Sequence, residues 1–169
     1  AGVKTGDEVI VPSLTFIAPV NAIQYNNADP IFMDSDDFYN IDTKKTIDFI
    51  REETIFKNGF TYNKKSNKRI SAILPVHVWG NAVWLDELIS ICENRNIAIV
   101  EDASESLGTF YNSGKYKGKH TGTIGILGCL SFNGNKIITT GGGGMILAND
   151  EKLAQKAKYF TTQAKDDPI

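Results

Sequence analysis

The chain has 169 residues, 41% of them hydrophobic and 22% charged, with 18 Lys and Arg against 20 Asp and Glu for a formal net charge of -2. This is the balance of a folded globular domain, which excludes intrinsic disorder, and it supplies no large positive field to hold a nucleic-acid backbone or an anionic bilayer. No apolar run approaches the roughly 20 residues of a membrane span, and the opening AGVKTGDEVI has neither part of a secretion signal, so a cytoplasmic protein without nucleic-acid or membrane partners is expected.

In chain order, AGVKTG reads as the tail of a helix, with Gly2 and Gly6 at its exit, running into the strand EVIVP. Short β-branched runs then alternate with helical periodicity, the pattern of βαβ units and a mostly parallel sheet. Strands are predicted at 8–11, 30–34, 70–77, 97–102, 125–132 and 144–148. Helices are predicted at 16–25, 43–53 and 83–95, the last with Leu85, Leu88, Ile89 and Cys92 on one face. Asp150 is placed to cap a final helix through Phe160. The segment 54–69 interrupts the alternation as a loop or short hairpin. Its basic run, Lys64, Lys65, Lys68 and Arg69, suits a solvated loop better than a phosphate site. Cys92 and Cys129 lie in a helical and a strand pattern with no CxxC pair, and both are expected to be buried, reduced thiols. The last residues, AKDDPI, complete no element, so the chain is expected to be a central piece of a longer protein.

In parallel α/β sheets the ligand crevice lies outside the carboxyl ends of the strands. Several predicted strands end there in reactive side chains: Glu101-Asp102, His77, and Ser131 followed by Lys136. Nucleotide fingerprints fail. No GxxxxGK[ST] occurs, and Gly122, Gly125 and Gly128 are spaced GxxGxxG rather than GxGxxG. His77 and His120 are the only histidines and lack metal-ligand spacing, and no GxSxG elbow marks a serine hydrolase. Gly141 to Gly144 forms either a bare turn or a place where the backbone passes close to a cofactor. What remains is an acid, Asp102, and a lysine 34 residues later, Lys136. A desolvated lysine amine becomes nucleophilic towards an aldehyde, and an acid opposite it can keep a pyridine nitrogen protonated, the pair that pyridoxal phosphate chemistry requires. On spacing alone, a surface lysine and a helix-capping aspartate are the plainer readings.

At these residues the sequence resembles a known family. The segments GDEVIVPSLTFIAPVNAI, ILPVHVWGN, VEDASESLG and SFNGNKIITTGGGG are similar, in order, to the motifs of the DegT–StrS family of pyridoxal-phosphate-dependent nucleotide-sugar aminotransferases, from Gly6 to about Phe160. The resemblance implies an α/β fold: a three-layer, mostly parallel sheet with helices on both faces, as in the large domain of fold type I transferases. By position, Lys136 matches the lysine that holds the cofactor covalently, Asp102 the acid at its ring nitrogen, Ser131 a hydroxyl on its phosphate and Phe16 the aromatic that stacks on the ring. Glu105 stands where many members carry Gln near the phenolic oxygen, and a carboxylate beside a phenolate needs a shared proton. His77 is assigned to the same crevice or, equally, to a satisfied structural histidine.

Within the family, NGNKIITTGGGG and TTQAKDDP look closest to enzymes that aminate C4 of a UDP-linked 4-keto-6-deoxy sugar towards legionaminic-acid-type products. The implied partners are that nucleotide-linked keto sugar, glutamate as amino donor and a second copy in a homodimer. The resemblance places a Gly-Thr or Gly-Ser phosphate turn upstream of Ala1 and a smaller domain after Ile169. The 169 residues alone are therefore expected to bind cofactor poorly. Relatives with histidine in place of the lysine perform dehydration, which Lys136 disfavours; a truncated, non-catalytic paralogue is the other alternative.

Overall fold

The computed structural model describes residues 1–164; the predicted end AKDDPI falls, from Lys165 onward, outside the described residues. Eight strands form one sheet: β1 (Glu8–Pro12), β2 (Asp29–Met33), β3 (Thr54–Lys57), β4 (Phe60–Asn63), β5 (Arg69–Ile73), β6 (Ala98–Asp102), β7 (Leu127–Ser131) and β8 (Gly144–Ala148). Its main path runs β2-β1-β5-β6-β7-β8. The first five strands of that path are parallel and β8 closes the edge antiparallel to β7. Four helices accompany them: α1 (Ile17–Tyr25), α2 (Thr43–Glu52), α3 (Asp86–Asn94) and α4 (Glu151–Thr161). The α/β class and mostly parallel sheet are as the sequence implies.

Alternation along β1, and along β5 with one break where its register against β1 shifts between Ile70 and Ala72, sorts the core into two layers. Ile10, Ile70 and Ile73 pack with Ile47 and Ile50 of α2 and Leu88, Ile89 and Cys92 of α3. Val9, Val11 and Ala72 point the other way and pack with Ile23 of α1. Helices therefore lie on both faces. Two of them begin on the predicted type of cap: Asp42 accepts the Lys45 N–H at 3.0 Å, and Asp150 accepts the Leu153 N–H at 2.8 Å.

The segment 54–69 is the hairpin alternative, β3 and β4, and β4 joins the sheet antiparallel to the start of β5. Three of the four side chains of its basic run are engaged within the fold. Lys64 donates to the Glu52 carbonyl, Lys68 pairs with Asp29 and Arg69 with Asp7. Burial raises the Asp7 carboxyl, but the Arg69 guanidinium and the Lys4 N–H outweigh it and hold it below its usual range. Predicted strand 70–77 is shorter: β5 ends at Ile73, before Pro75, and the chain continues through an isolated bridge between Val76 and Asp102 into a 3₁₀ turn, Val78–Gly80. Cys92 is fully buried, which pushes its thiol up to about 12, whereas Cys129 is only half-buried because its face of β7 is partly open.

Leu88 sits fully buried between α3 and the sheet. Leu88→Ala should cost about 2–5 kcal/mol, measured as a lower urea midpoint at unchanged slope; a loss under about 0.5 kcal/mol, the range of surface changes, would contradict this packing.

Candidate active site

The carboxyl ends of β6 and β7 assemble the site, and strand register decides which side chains share a face. Glu101 lies opposite Gly128, and Asp102 lies opposite Cys129. Side chains alternate, so Asp102, Cys129 and Ser131 face one side of the sheet and Glu101 the other. Burial follows the same rhythm: both strands read half-buried, buried, half-buried along their length. The Asp102 face is the accessible one.

Glu101, completely buried, is the most heavily bonded side chain in the molecule's interior. Its Oε1 accepts the N–H groups of Ile124 (2.6 Å) and Gly125 (2.7 Å), and its Oε2 accepts that of Gly122 (2.8 Å). Oε2 also lies 3.0 Å from Nε2 of His77. The Val83 N–H donates to His77 Nδ1 at 3.0 Å, so Nδ1 is an acceptor and Nε2 carries the proton donated to Glu101. Burial alone would raise the Glu101 carboxyl; the His77 hydrogen bond and the Gly125 and Gly122 N–H groups outweigh it and hold it below its usual 4.5. His77, assigned in sequence either to the crevice or to a satisfied structural role, has both ring nitrogens occupied within the fold and is 0% exposed. No nitrogen is left for a ligand.

The loop that Glu101 holds lies flat on β7. A Cβ on Gly128 would meet the Gly122 carbonyl oxygen at 1.9 Å, and one on Gly125 the Ile99 carbonyl oxygen at 2.6 Å. The GxxGxxG spacing therefore records close backbone approach, not phosphate binding.

On the accessible face, Asp102 is fixed at both levels. Its N–H donates to the Pro75 carbonyl, its carbonyl accepts the His77 N–H, and Oδ1 accepts the Ser104 N–H at 2.9 Å. Oδ2 accepts no hydrogen bond among the described residues. Ser131 lies one strand across and two residues along, its Oγ accepting the Asn133 N–H at 3.3 Å. Lys136, in the turn beyond β7, brings Nζ to 3.3 Å from Glu105 Oε1, while Glu105 Oε2 accepts the Trp79 N–H at 3.0 Å. The lysine side chain as a whole is 17% exposed, and Glu105 is the carboxylate its ammonium pairs with. Phe16, four residues past β1 and immediately before α1, is 79% exposed.

Residues 1–168 match the sequence model of the DegT/DnrJ/EryC1/StrS aminotransferase family. The chain belongs to that family. This DegT/StrS chain is 39% identical over 168 residues to the putative pyridoxal phosphate-dependent aminotransferase EpsN of Bacillus subtilis, covering 99% of its own length and 39% of the relative's. It is 39% identical over 162 residues to the GDP-perosamine synthase of Escherichia coli O157:H7, covering 96% and 39%. A crystal structure of a DegT DnrJ EryC1 StrS aminotransferase from Brucella abortus superimposes with a TM-score of 0.80 at 29% identity, covering 94% of this chain and 39% of that one. The chain thus spans about two fifths of the length of these relatives.

The cofactor of the family is pyridoxal phosphate. The side chains present fit it: an amine paired with a carboxylate in the turn beyond β7, a carboxylate with a free oxygen at the end of β6, a hydroxyl on the same face and an exposed aromatic ring. Sequence reasoning missed Glu101 as the anchor of the site. The available signal was parity, since two adjacent carboxylates at a strand end must face opposite sides.

Because the folded carboxyl lies below 4.5, the stability Glu101 contributes is complete above that pH and is lost as pH falls through the lower folded value. Glu101→Gln, which leaves buried N–H donors facing an amide, should cost about 3–5 kcal/mol near neutrality, and the difference from wild type should shrink below pH 4.5. Unfolding followed by circular dichroism across that range checks it; a pH-independent difference would contradict the assignment.

Proposed function

We propose that this chain is the catalytic core of a pyridoxal-phosphate-dependent aminotransferase that moves an amino group from glutamate to C4 of a nucleotide-linked 4-keto-6-deoxy sugar, acting in the cytoplasm as a homodimer. The observation that carries the reading is Lys136, its side chain 17% exposed and its ammonium tied to Glu105, in the turn just beyond the strand whose Ser131 shares an open face with Asp102.

When bound, the cofactor supplies an electron sink for the carbon whose C–H bond breaks. The chain's own residues would aim and protonate it. Asp102, with its backbone bonded to Pro75 and His77 just beyond β5 and Oδ1 pinned to Ser104, offers Oδ2 to hold the proton on the ring nitrogen. Ser131 offers its hydroxyl to the phosphate, and Phe16 offers a ring face for stacking. Lys136 Nζ, next to Glu105, would take up the proton released at one reacting carbon and deliver it to the other, the work of a general acid and base. The transfer is ping-pong: the donor leaves nitrogen before the keto sugar collects it.

The E. coli relative is named for a GDP-linked sugar, and the NGNKIITTGGGG segment resembles enzymes acting on UDP-linked sugars. Both support amination of a nucleotide-linked hexose, at C4 in this reading. The dehydratase alternative loses ground to Lys136, since its relatives carry histidine there.

The full-length protein should be yellow, and borohydride should fix the cofactor irreversibly to the peptide containing Lys136. Lys136→Ala should lower turnover by at least about 10²–10⁴-fold. A screen of UDP-, dTDP- and GDP-linked 3-keto and 4-keto sugars with glutamate reads substrate. A colourless protein that gains no absorbance with added pyridoxal phosphate, or label on another lysine, would overturn the assignment.

A further inference from the structure

Two turns, one of them tied to Lys136 through Glu105, hold aromatic residues in a backbone conformation that such residues rarely adopt. Tyr39 has φ 68° and Trp79 φ 51°, both in the left-handed region. The other non-glycine positions there among the described residues are four asparagines, which tolerate it, and Gln163 and Ala164 at the end. A bulky side chain at positive φ is strained, and strain of this kind persists where the surrounding structure over-determines it and function uses it.

Here the surroundings do over-determine it. Asn40, almost fully buried, joins the two turns: its Oδ1 accepts the Val78 N–H at 3.0 Å and its Nδ2 donates to the Asn81 carbonyl at 3.2 Å. Asn81 Nδ2 returns a bond to the Phe38 carbonyl at 3.3 Å. The Tyr39 and Trp79 rings meet edge-on, with centroids 5.0 Å apart and planes at 60°. Burial does not explain the pair, because Trp79 remains 68% and Tyr39 48% exposed. What lies next to it is the reactive amine. The Trp79 N–H reaches Glu105 at 3.0 Å, and the other oxygen of the same carboxylate reaches Lys136 Nζ at 3.3 Å.

We propose that Tyr39 and Trp79 form the platform on which the pyranose ring of the nucleotide-linked sugar stacks. The inference rests on the aminotransferase reading above. The sugar carbon that receives nitrogen must come to Lys136, so the hexose, not the nucleoside hung from its far side, lies one carboxylate away from Trp79. A deoxyhexose presents a face rich in C–H bonds, and the electron-rich faces of Trp and Tyr attract the slightly positive hydrogens of such a face. The left-handed turns would then be retained because they stand the rings out from the loop.

The test uses the full-length holoenzyme and calorimetry with UDP-, dTDP- and GDP-linked hexoses alongside the free nucleoside diphosphates. Wild type should bind the matching nucleotide hexose more tightly than the diphosphate. Trp79→Gly should remove about a tenfold share of that advantage and leave diphosphate affinity unchanged. Trp79→Phe should restore most of it. Because glycine adopts positive φ freely and little buried surface is lost, Trp79→Gly should unfold at the same temperature as wild type or higher, which a merely structural role for the ring would not allow. Equal affinities in wild type and variant overturn the platform, as does an equal loss for hexose and diphosphate, which would place the base there. Dissociation of the oligomer in Trp79→Gly also overturns it, by making the pair a contact between copies. A wild type that binds no nucleotide hexose of any kind overturns the aminotransferase reading itself, and the platform with it.

Discussion

The carboxylate of Glu101 is the constraint on which the site depends. Between β6 and β7 the chain must cross from one parallel strand to the next, a connection usually made by a helix that hydrogen-bonds itself. Here residues 103–126 contain no helix, and an irregular stretch of that length needs outside partners for its backbone. Glu101 provides three of them in one place, taking the N–H groups of Gly122, Ile124 and Gly125. A buried charge so far from water is costly alone, but with three backbone donors and His77 its lone pairs are filled. Once the loop is tied there, β7 starts where it must, and β7 carries Ser131 and leads to Lys136.

The same anchor explains why neighbouring residues have such different fates. Glu101 and His77 settle the inner face, with the Tyr111 hydroxyl donating to Val83 and Ser106 paired with Thr121 to complete the loop's attachment. Asp102 inherits that rigidity through the backbone while its side chain looks out on the opposite face. Rigid support on one side of a strand and chemistry on the other is how a carboxylate can be aimed without being used up in structure.

Much of this was legible. Alternation of β-branched runs with 3.6-residue periodicity gave the parallel core, and Asp42 and Asp150 announce their helices through local bonds three residues long. Motif order singled out Lys136 and Glu105, which the fold brings into contact, and Asp102 and Ser131, which it sets on one face of adjacent strands. What escaped depends on pairs remote in sequence. Lys68 finds Asp29 and Arg69 finds Asp7, 39 and 62 residues away, so a run read as a solvated loop is in part tied into the fold. Proline 75 cut short a strand that composition extended to His77, and His77 then turned inward to a partner 24 residues on. The glycines at 122, 125 and 128 fitted no fingerprint, and their spacing alone does not reveal which backbone lies against them.

Glu105 ties these strands of argument together. It departs from the Gln that many family members carry, and the departure has a physical consequence visible without any ligand: a carboxylate can accept from Trp79 N–H and Lys136 ammonium at once, where an amide oxygen would carry no charge to hold the second. The strained Trp79 turn and the reactive lysine are thereby fastened to one group. A change of charge at Lys136, as happens whenever its nitrogen enters or leaves a covalent bond, alters the pull on Glu105 and through it on the turn that presents Trp79. The amine of Lys136 and the backbone turn that carries the Trp79 ring are in this way parts of one hydrogen-bonded unit rather than two independent features.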